Sequence, residues 1–150
     1  MREFLGRYGK IDRIIGMENP YNYRCKVSVA FGFSKNRVIS GVWQSAHGKL
    51  VQCNACALED KKATPIINAI QKLLPKFKLR TYDEKTKSGF LRFVIIRVGK
   101  QSGEILVALG TNSGEFAQLG DFTKALIELC PEISTLVRCA TISISNSRVN

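Results

Sequence analysis

Two short segments place cations inside strand-like, apolar stretches of the chain. Residues 23–26 read Tyr-Arg-Cys-Lys, and residues 89–97 read Gly-Phe-Leu-Arg-Phe-Val-Ile-Ile-Arg. Burying a guanidinium or an ammonium group is costly unless the group has a partner. A sheet that carries fixed cations on its surface suits a polyanion. The two segments therefore predict a surface that recognises phosphate.

The spacing of these cations predicts their directions. Arg24 and Lys26 are two residues apart, so in a strand they point to the same face. Arg92 and Arg97 are five apart and should point to opposite faces unless a bulge intervenes. One of that second pair can instead be a structural arginine, paired with a carboxylate at 83–84 or with backbone carbonyls. For the first pair, the alternative to phosphate binding is a solvated strand face.

The net charge of +11 is concentrated in one part of the chain. Residues 61–100 hold eleven basic and two acidic side chains, whereas residues 101–150 hold three and five. Such a basic segment favours a phosphate backbone and salt-dependent binding, although basic patches also serve membranes, acidic proteins and solubility. Its lysines predict a basic rim that attracts RNA generally, made of Lys61, Lys62, Lys72, Lys76, Lys78, Lys85 and Lys87.

Length and composition limit the class of protein. A chain of 150 residues with 45% hydrophobic and 23% charged residues fits one globular domain, predicted over 1–150. No apolar stretch approaches the roughly 20 residues that cross a bilayer, so no membrane association is expected. The charged N-terminus lacks the apolar core of a secretory signal. We therefore expect a cytoplasmic location.

Five cysteines, an odd number, argue against a disulfide framework. Three of them lie in apolar surroundings and are predicted to be small core residues, namely Cys25, Cys130 and Cys139. Cys53 and Cys56 form a C-x-x-C motif, with His47 six residues upstream. A structural zinc site usually needs a second such pair, which the sequence lacks, and a redox motif would follow a βαβ pattern that is also missing. The motif by itself therefore predicts neither site.

Hydrophobic periodicity and turn signals predict an α+β fold with a mostly antiparallel sheet and two helices, in the order β-β-β-α-β-β-α-β. The strands are predicted from residue 24 onward and at Val38–Gln44, Lys49–Cys53, Phe90–Val98, Glu104–Leu109 and Leu136–Ser145. The first helix should be capped by Thr64, with Pro65 at its first position and an apolar face made of Ile66, Ile67, Ile70, Leu73, Leu74 and Phe77. The second lies within Gly114–Cys130 and has an apolar face made of Phe116, Leu119, Phe122, Leu126 and Ile127. Trp43 and Phe33 are expected in the core, the alternative being that they stack on bases.

The order of these motifs resembles the central domain of the S-adenosylmethionine-dependent RNA (uracil-5-)-methyltransferases. The resemblance runs over most of residues 15–110, and its motifs are Asn-Pro-Tyr-x-Tyr-Arg-x-Lys, a Gly-Val-Trp strand, a His before a cysteine, Tyr-Asp-Glu, and Gly-x-Leu-Arg-x-x-x-x-Arg. The sequence departs from the family at Cys25, which replaces a polar residue, at Phe93, where histidine is common, and at Ala46, which replaces a serine.

The resemblance implies an RNA-binding central domain of a larger enzyme that acts on ribosomal or transfer RNA. The RNA-binding residues it implies are Arg24, Lys26, His47, Arg92 and Arg97. In this family an RNA-binding barrel often precedes the region, and the methyltransferase domain follows it. We expect both to be absent from the chain, which alone should be inactive.

The same resemblance implies the cofactors. S-adenosylmethionine would serve the parent enzyme, and many family members also hold a [4Fe–4S] cluster on four cysteines. Cys56 matches the fourth cluster ligand best, with Cys53 as the second choice, so neither cofactor is expected in this chain alone. The alternative function is a stand-alone, basic α+β module that binds nucleic acid without catalysis.

Overall fold

One six-stranded sheet, covered on one face by two helices, forms the fold. The computed structural model describes Phe4, Gly6 and residues 8–10, 12–112 and 114–141. The strands are β1 (Lys26–Ser34), β2 (Arg37–Gln44), β3 (Lys49–Gln52), β4 (Leu91–Val98), β5 (Ile105–Asn112) and β6 (Ile133–Thr141). The helices are α1 (Ala63–Lys76) and α2 (Leu119–Leu129). The predicted α+β class and element order are confirmed.

The strands lie in the order β3-β2-β1-β4-β5-β6. Four of the five neighbouring pairs are antiparallel, as predicted, and only β5 and β6 run parallel. Because α2 connects β5 to β6, the chain returns to the starting end of β5 before β6 begins. The sheet is therefore mixed, with one parallel pair at its edge.

Alternation along β1 separates a covered face of the sheet from an open one. Val27, Val29 and Phe31 are buried under the helices, whereas Lys26 and Ser28 are exposed. Both helices contribute to the same core, and the predicted apolar face of α1 is confirmed. In α2 only Phe122 and Leu126 are fully buried, and Ile127 is 41% exposed, so the predicted face is wrong at that residue.

Helix α1 begins earlier than the sequence predicts. The Asp60 carbonyl accepts a hydrogen bond from the Ala63 N–H at 3.0 Å, and Asp60 Oδ1 accepts one from the Lys62 N–H at 3.0 Å. These bonds satisfy donors that a helix start leaves free, so Lys62 is the N-cap and Thr64 lies inside the helix. The predicted Thr64 cap is therefore wrong. Neither described helix is long and apolar enough to span a membrane.

Candidate nucleic-acid interface

Lys26 and Arg97 are directly opposed across β1 and β4. Both side chains are exposed, on the face of the sheet that the helices leave open. Within the described residues neither cation has an ion pair. Like charges directly opposite each other destabilise a sheet. The pair therefore forms a site that an anion would stabilise.

Arg24 lies two residues before β1 and is fixed by a neighbouring segment rather than by the sheet. Its N–H donates to the Leu58 carbonyl at 2.9 Å, and its own carbonyl accepts from the Asp60 N–H at 3.1 Å. The guanidinium carbon lies 6.0 Å from the centroid of the Tyr23 ring. The Tyr23 side chain, through hydrogen bonding and then charge, raises the pKa of Arg24 above its ordinary value, with smaller contributions from Cys56 and Glu59. The exposed guanidinium therefore stays charged.

An ion pair ties this segment to the turn between β4 and β5. Lys100 Nζ donates to Asp60 Oδ2 at 2.5 Å and to the Asn22 carbonyl at 3.0 Å. Burial favours a higher pKa for Asp60, but the hydrogen bonds from Lys100 and the Lys62 N–H and the charges of both lysines outweigh it, so the pKa is lowered. Lys100 therefore fixes the approach to β1 on which Arg24 lies. Sequence reasoning missed this role, because the partners are 40 residues apart.

Arg92 makes internal contacts at the other end of β4. A register shift between Leu91 and Phe93 places it at a bulge. Its Nη2 lies 3.1 Å from Glu84 Oε1, and its guanidinium carbon lies 4.4 Å from the centroid of the Tyr82 ring. Glu84 also accepts a hydrogen bond from Lys87, which is the main reason why its pKa is lowered. Of the two interpretations that the sequence allows for this arginine, the structure shows the pairing with Glu84.

His47 is exposed in the short 3-10 turn Ser45–His47 between β2 and β3. β2 pairs with β1 only up to Gly41, and beyond that residue it pairs with β3, whose Leu50 side chain lies next to Gly32 near the end of β1. The turn is therefore not aligned with Lys26 at the start of β1.

Arg24, Lys26 and Arg97 share one end of the sheet, and the structure does not bring His47 to them. Arg92, at the start of β4, lies at the opposite end.

The basic rim is divided between different surfaces. All seven of its lysines are exposed. Lys72 and Lys76 belong to α1, which covers the face of the sheet opposite to the open one. Lys87 is paired with Glu84. The rim is therefore divided: Lys72, Lys76 and Lys87 lie away from the Lys26–Arg97 pair, whereas Lys62 lies beside the turn that follows β4, with its Nζ 3.5 Å from the Gly103 carbonyl oxygen.

The cysteines occupy different environments from those predicted. Cys25 and Cys139 are exposed and only Cys130 is buried, so the core prediction is wrong for the first two. Cys139 pairs with Gly110 in the sheet and lies on the open face, where no helix covers it. The apolar residues next to Cys139 in sequence indicated a core position, but the strand β6 is buried on one face only, and Cys139 lies on the other face.

Cys53 and Cys56 are both half-buried. The Cys53 thiol donates to the Ala55 carbonyl at 3.5 Å, within its own turn. Nowhere in the described residues do three or more His, Cys, Asp or Glu side chains form a group that could hold a metal ion. Cys56 lies near enough to Arg24 to raise the pKa of that guanidinium. Cys56 can therefore supply one of the four thiolates of an iron–sulfur cluster, but the described residues do not form a complete metal site.

One further cation, Arg138, has a structural role that the sequence did not indicate. Its Nε donates to Thr111 Oγ1 at 3.0 Å and its Nη2 to the Gly114 carbonyl, while its guanidinium carbon lies 5.2 Å from the Phe90 ring centroid. Thr111 is fully buried, so Arg138 satisfies its hydroxyl. A lone cation in a strand carries no sequence signal for such contacts.

Comparison with known proteins relates the chain to methyltransferases. No family model matches it. It is 33% identical over 129 residues to an uncharacterized RNA methyltransferase of Enterococcus faecalis, covering 86% of this chain and 28% of the relative. It is 31% identical over 132 residues to one of Clostridium tetani, covering 85% and 29%. The chain thus spans less than a third of the length of these relatives.

A solved structure has a similar fold. It is the Pyrococcus abyssi tRNA (uracil-54, C5)-methyltransferase in complex with S-adenosyl-L-homocysteine. The TM-score is 0.64 at 20% identity, and the match covers 81% of this chain and 28% of the other. The predicted resemblance is confirmed: over most of its own length, this chain is a relative of part of the RNA methyltransferases.

Proposed function

We propose that the chain is the RNA-binding central domain of an S-adenosylmethionine-dependent RNA (uracil-C5) methyltransferase that acts on ribosomal or transfer RNA. The observation that carries the proposal is the exposed, directly opposed pair of Lys26 and Arg97. Arg24, two residues before β1, lies at the same end of the sheet. A cluster of exposed cations on rigid strands suits the phosphates of a folded RNA.

The known relatives supply the enzymatic part of the proposal. The curated relatives are RNA methyltransferases, and the structure with the similar fold is a tRNA (uracil-54, C5)-methyltransferase with S-adenosyl-L-homocysteine bound. In the complete enzyme an RNA-binding barrel would precede this domain and the methyltransferase domain would follow it. The family reaction, attack of a cysteine thiolate on C6 of uracil followed by methyl transfer to C5, assigns no catalytic role to a residue of this chain.

Cys56 is the residue that we propose as one ligand of a [4Fe–4S] cluster in the complete enzyme. Its half-buried side chain lies in the segment 53–60, which is held by the hydrogen bonds of Arg24 to Leu58 and Asp60 and of Lys100 to Asp60. The family resemblance implies that the other three of the four thiolates come from cysteines upstream of this domain. Bound at Cys56, a cluster would have a structural role and would hold residues 53–60 in place. We also propose a cytoplasmic location.

RNA binding tests the central part of the proposal. Fluorescence anisotropy with a labelled, structured RNA should show salt-sensitive binding that Lys26→Ala and Arg97→Ala each weaken. Lys124→Ala is the matched control, because Lys124 is an exposed cation on α2, away from the open face. Equal losses in all three variants would contradict a site at Lys26 and Arg97.

A second experiment separates the enzyme from a stand-alone nucleic-acid-binding module. The complete protein should transfer tritium-labelled methyl groups from S-adenosylmethionine to the C5 position of a uridine in ribosomal or transfer RNA. The 150-residue chain alone should neither transfer methyl groups nor bind S-adenosylmethionine in a calorimetric titration. RNA binding without methyl transfer by the complete protein would favour the stand-alone module.

A further inference from the structure

A cleft opens where β1 separates from β4. The two strands pair only from Lys26 to Ala30, and beyond that point β1 continues with β2 alone to Ser34. The free edge of β4 pairs instead with the preceding segment, since the Tyr82 N–H donates to the Leu91 carbonyl and the Leu91 N–H to the Arg80 carbonyl. The space between has a volume of about 820 Å³. That volume lies within the range of ligand sites, about 300–1,000 Å³.

One wall of the cleft carries exposed aromatic rings. Phe33 in β1 is 67% exposed and Trp43 in β2 is 42% exposed, so both depart from the predicted core position. A Cβ at Gly41 would lie 2.0 Å from the Val51 carbonyl oxygen, so only glycine permits the close approach of β3 there. Trp43 and Leu50 line the cleft on the side of Gly32, whereas Phe33 follows the alternation of Val29 and Phe31, so the two rings flank the end of β1 from either side.

The opposite wall is basic. Lys78, Arg80 and Lys85 line it and are exposed, and none of the three has an ion pair within the described part of the chain. Two acidic residues also lie on this wall: Glu84 is paired with Arg92 and Lys87, and Asp83 accepts a hydrogen bond from the Lys85 N–H at 2.8 Å. Arg92 also contacts the Tyr82 ring, which fixes this wall to β4. The cleft therefore combines aromatic rings on one side with unpaired cations on the other.

We propose that this cleft binds a short single-stranded segment of RNA, with bases stacked on Phe33 and Trp43 and phosphates at Lys78, Arg80 and Lys85. Aromatic platforms beside a cationic groove are what sequence-tolerant, single-stranded sites use. An apolar peptide would fit the aromatic wall equally well, but it would leave the three cations without partners. The proposal rests on the proposed RNA-binding function, and it adds a second site at the end of the sheet opposite to Lys26 and Arg97.

Trp43 is the only tryptophan of the chain, so its fluorescence reports on the cleft directly. The titrant is oligouridine of eight nucleotides, and the control titrant is an abasic oligomer of the same length and charge. We expect oligouridine to quench Trp43 fluorescence and the abasic oligomer to leave it nearly unchanged, because stacking needs bases. Phe33→Ala should weaken the quenching titration by about tenfold, since one lost stack costs roughly 5- to 150-fold in affinity. Lys124→Ala, which removes an exposed cation of α2, should leave the quenching in place.

Phe33→Ala is a suitable variant because the exposed ring contributes little to the core. Anisotropy with a labelled structured RNA, measured in parallel, separates the two proposals. Binding of the structured RNA without quenching by oligouridine would overturn the cleft site and leave the proposed function intact. Loss of binding to both RNAs would overturn both. Quenching that the abasic oligomer reproduces, or a change in Trp43 emission caused only by self-association, would also overturn base stacking.

Discussion

Lys26 in β1 and Arg97 in β4 are cross-strand partners, and both side chains face solvent. Sheets normally place opposite charges or apolar side chains at such positions, because like charges across a pair cost free energy. This cost is acceptable if the pair serves to bind an anion. The relationship explains why an RNA-binding site is best looked for here, and it makes a prediction about stability.

Lys26→Glu should stabilise the fold while it weakens RNA binding. Glu at this position would face Arg97, and a cross-strand pair of opposite charges contributes about 0.2–1 kcal/mol. We expect urea denaturation to show a higher free energy of unfolding by that amount. Lys26→Gln, which removes the repulsion without adding an attraction, should give an intermediate value. A lower free energy of unfolding in Lys26→Glu would mean that Lys26 has a structural partner.

Lys100→Met should destabilise the fold at neutral pH. Lys100 hydrogen-bonds to Asp60, whose side chain is 12% exposed, and losing a charged hydrogen bond of this kind costs about 1–2 kcal/mol after allowance for the half-exposed lysine. Lys61→Met is the control, since Lys61 is exposed and adjacent in sequence to Asp60. Urea denaturation at pH 7 should show the loss in the first variant only.

The same pair predicts a pH dependence. The pKa of Asp60 is lower in the folded chain than in the unfolded one, so its contribution is complete above the unfolded value of about 3.9. It is lost as the pH falls through the folded pKa. The difference in stability between the original chain and Lys100→Met should therefore shrink below pH of about 4. A difference that stays constant down to pH 3 would show that the two groups are not coupled.

Gly110→Ala should destabilise the sheet through Phe93. A Cβ at Gly110 would lie 2.4 Å from Phe93 Cζ, because the Phe93 ring lies across its cross-strand partner. Overpacking of this kind costs about 1–3 kcal/mol. In the Phe93→Ala background the same substitution should cost nothing, since Gly110 does not have a positive φ. Equal penalties in the two backgrounds, measured by urea denaturation, would contradict the contact.

Local patterns in the sequence were sufficient to predict most of the fold. The alternation in β1 and the periodicity of α1 predicted which faces are buried, and the turn at Ser34-Lys35-Asn36 is confirmed by positive φ angles at Lys35 and Asn36. The predicted start of α1 was wrong because the carbonyl and the carboxylate of Asp60 accept the first N–H groups of the helix. The parallel pairing of β5 with β6 depends on how α2 crosses the sheet, which no local pattern specifies.

The candidate site was predictable only in part. The two-residue spacing of Arg24 and Lys26 indicated a shared face, but their environments depend on contacts distant in sequence. Arg24 is held by residues 58–60 and Lys26 by its pairing with Arg97. The exposure of Phe33 was not predictable, because it follows from the separation of β1 from β4. That of Trp43 was not predictable either, because beyond Gly41 its strand pairs with β3 alone. Apolar composition alone indicates a core position for both rings.

The salt dependence of RNA binding tests the central claim most directly. For the chain and a structured RNA, the logarithm of the affinity should fall linearly with the logarithm of the salt concentration. The double variant Lys26→Ala/Arg97→Ala should reduce that slope by up to about 2, roughly one unit for each lost phosphate contact. The double variant Lys72→Ala/Lys124→Ala removes the same charge from the helices and should change the slope less. A slope that is unchanged in the first variant, or reduced equally in both, would contradict an RNA-binding site at Lys26 and Arg97.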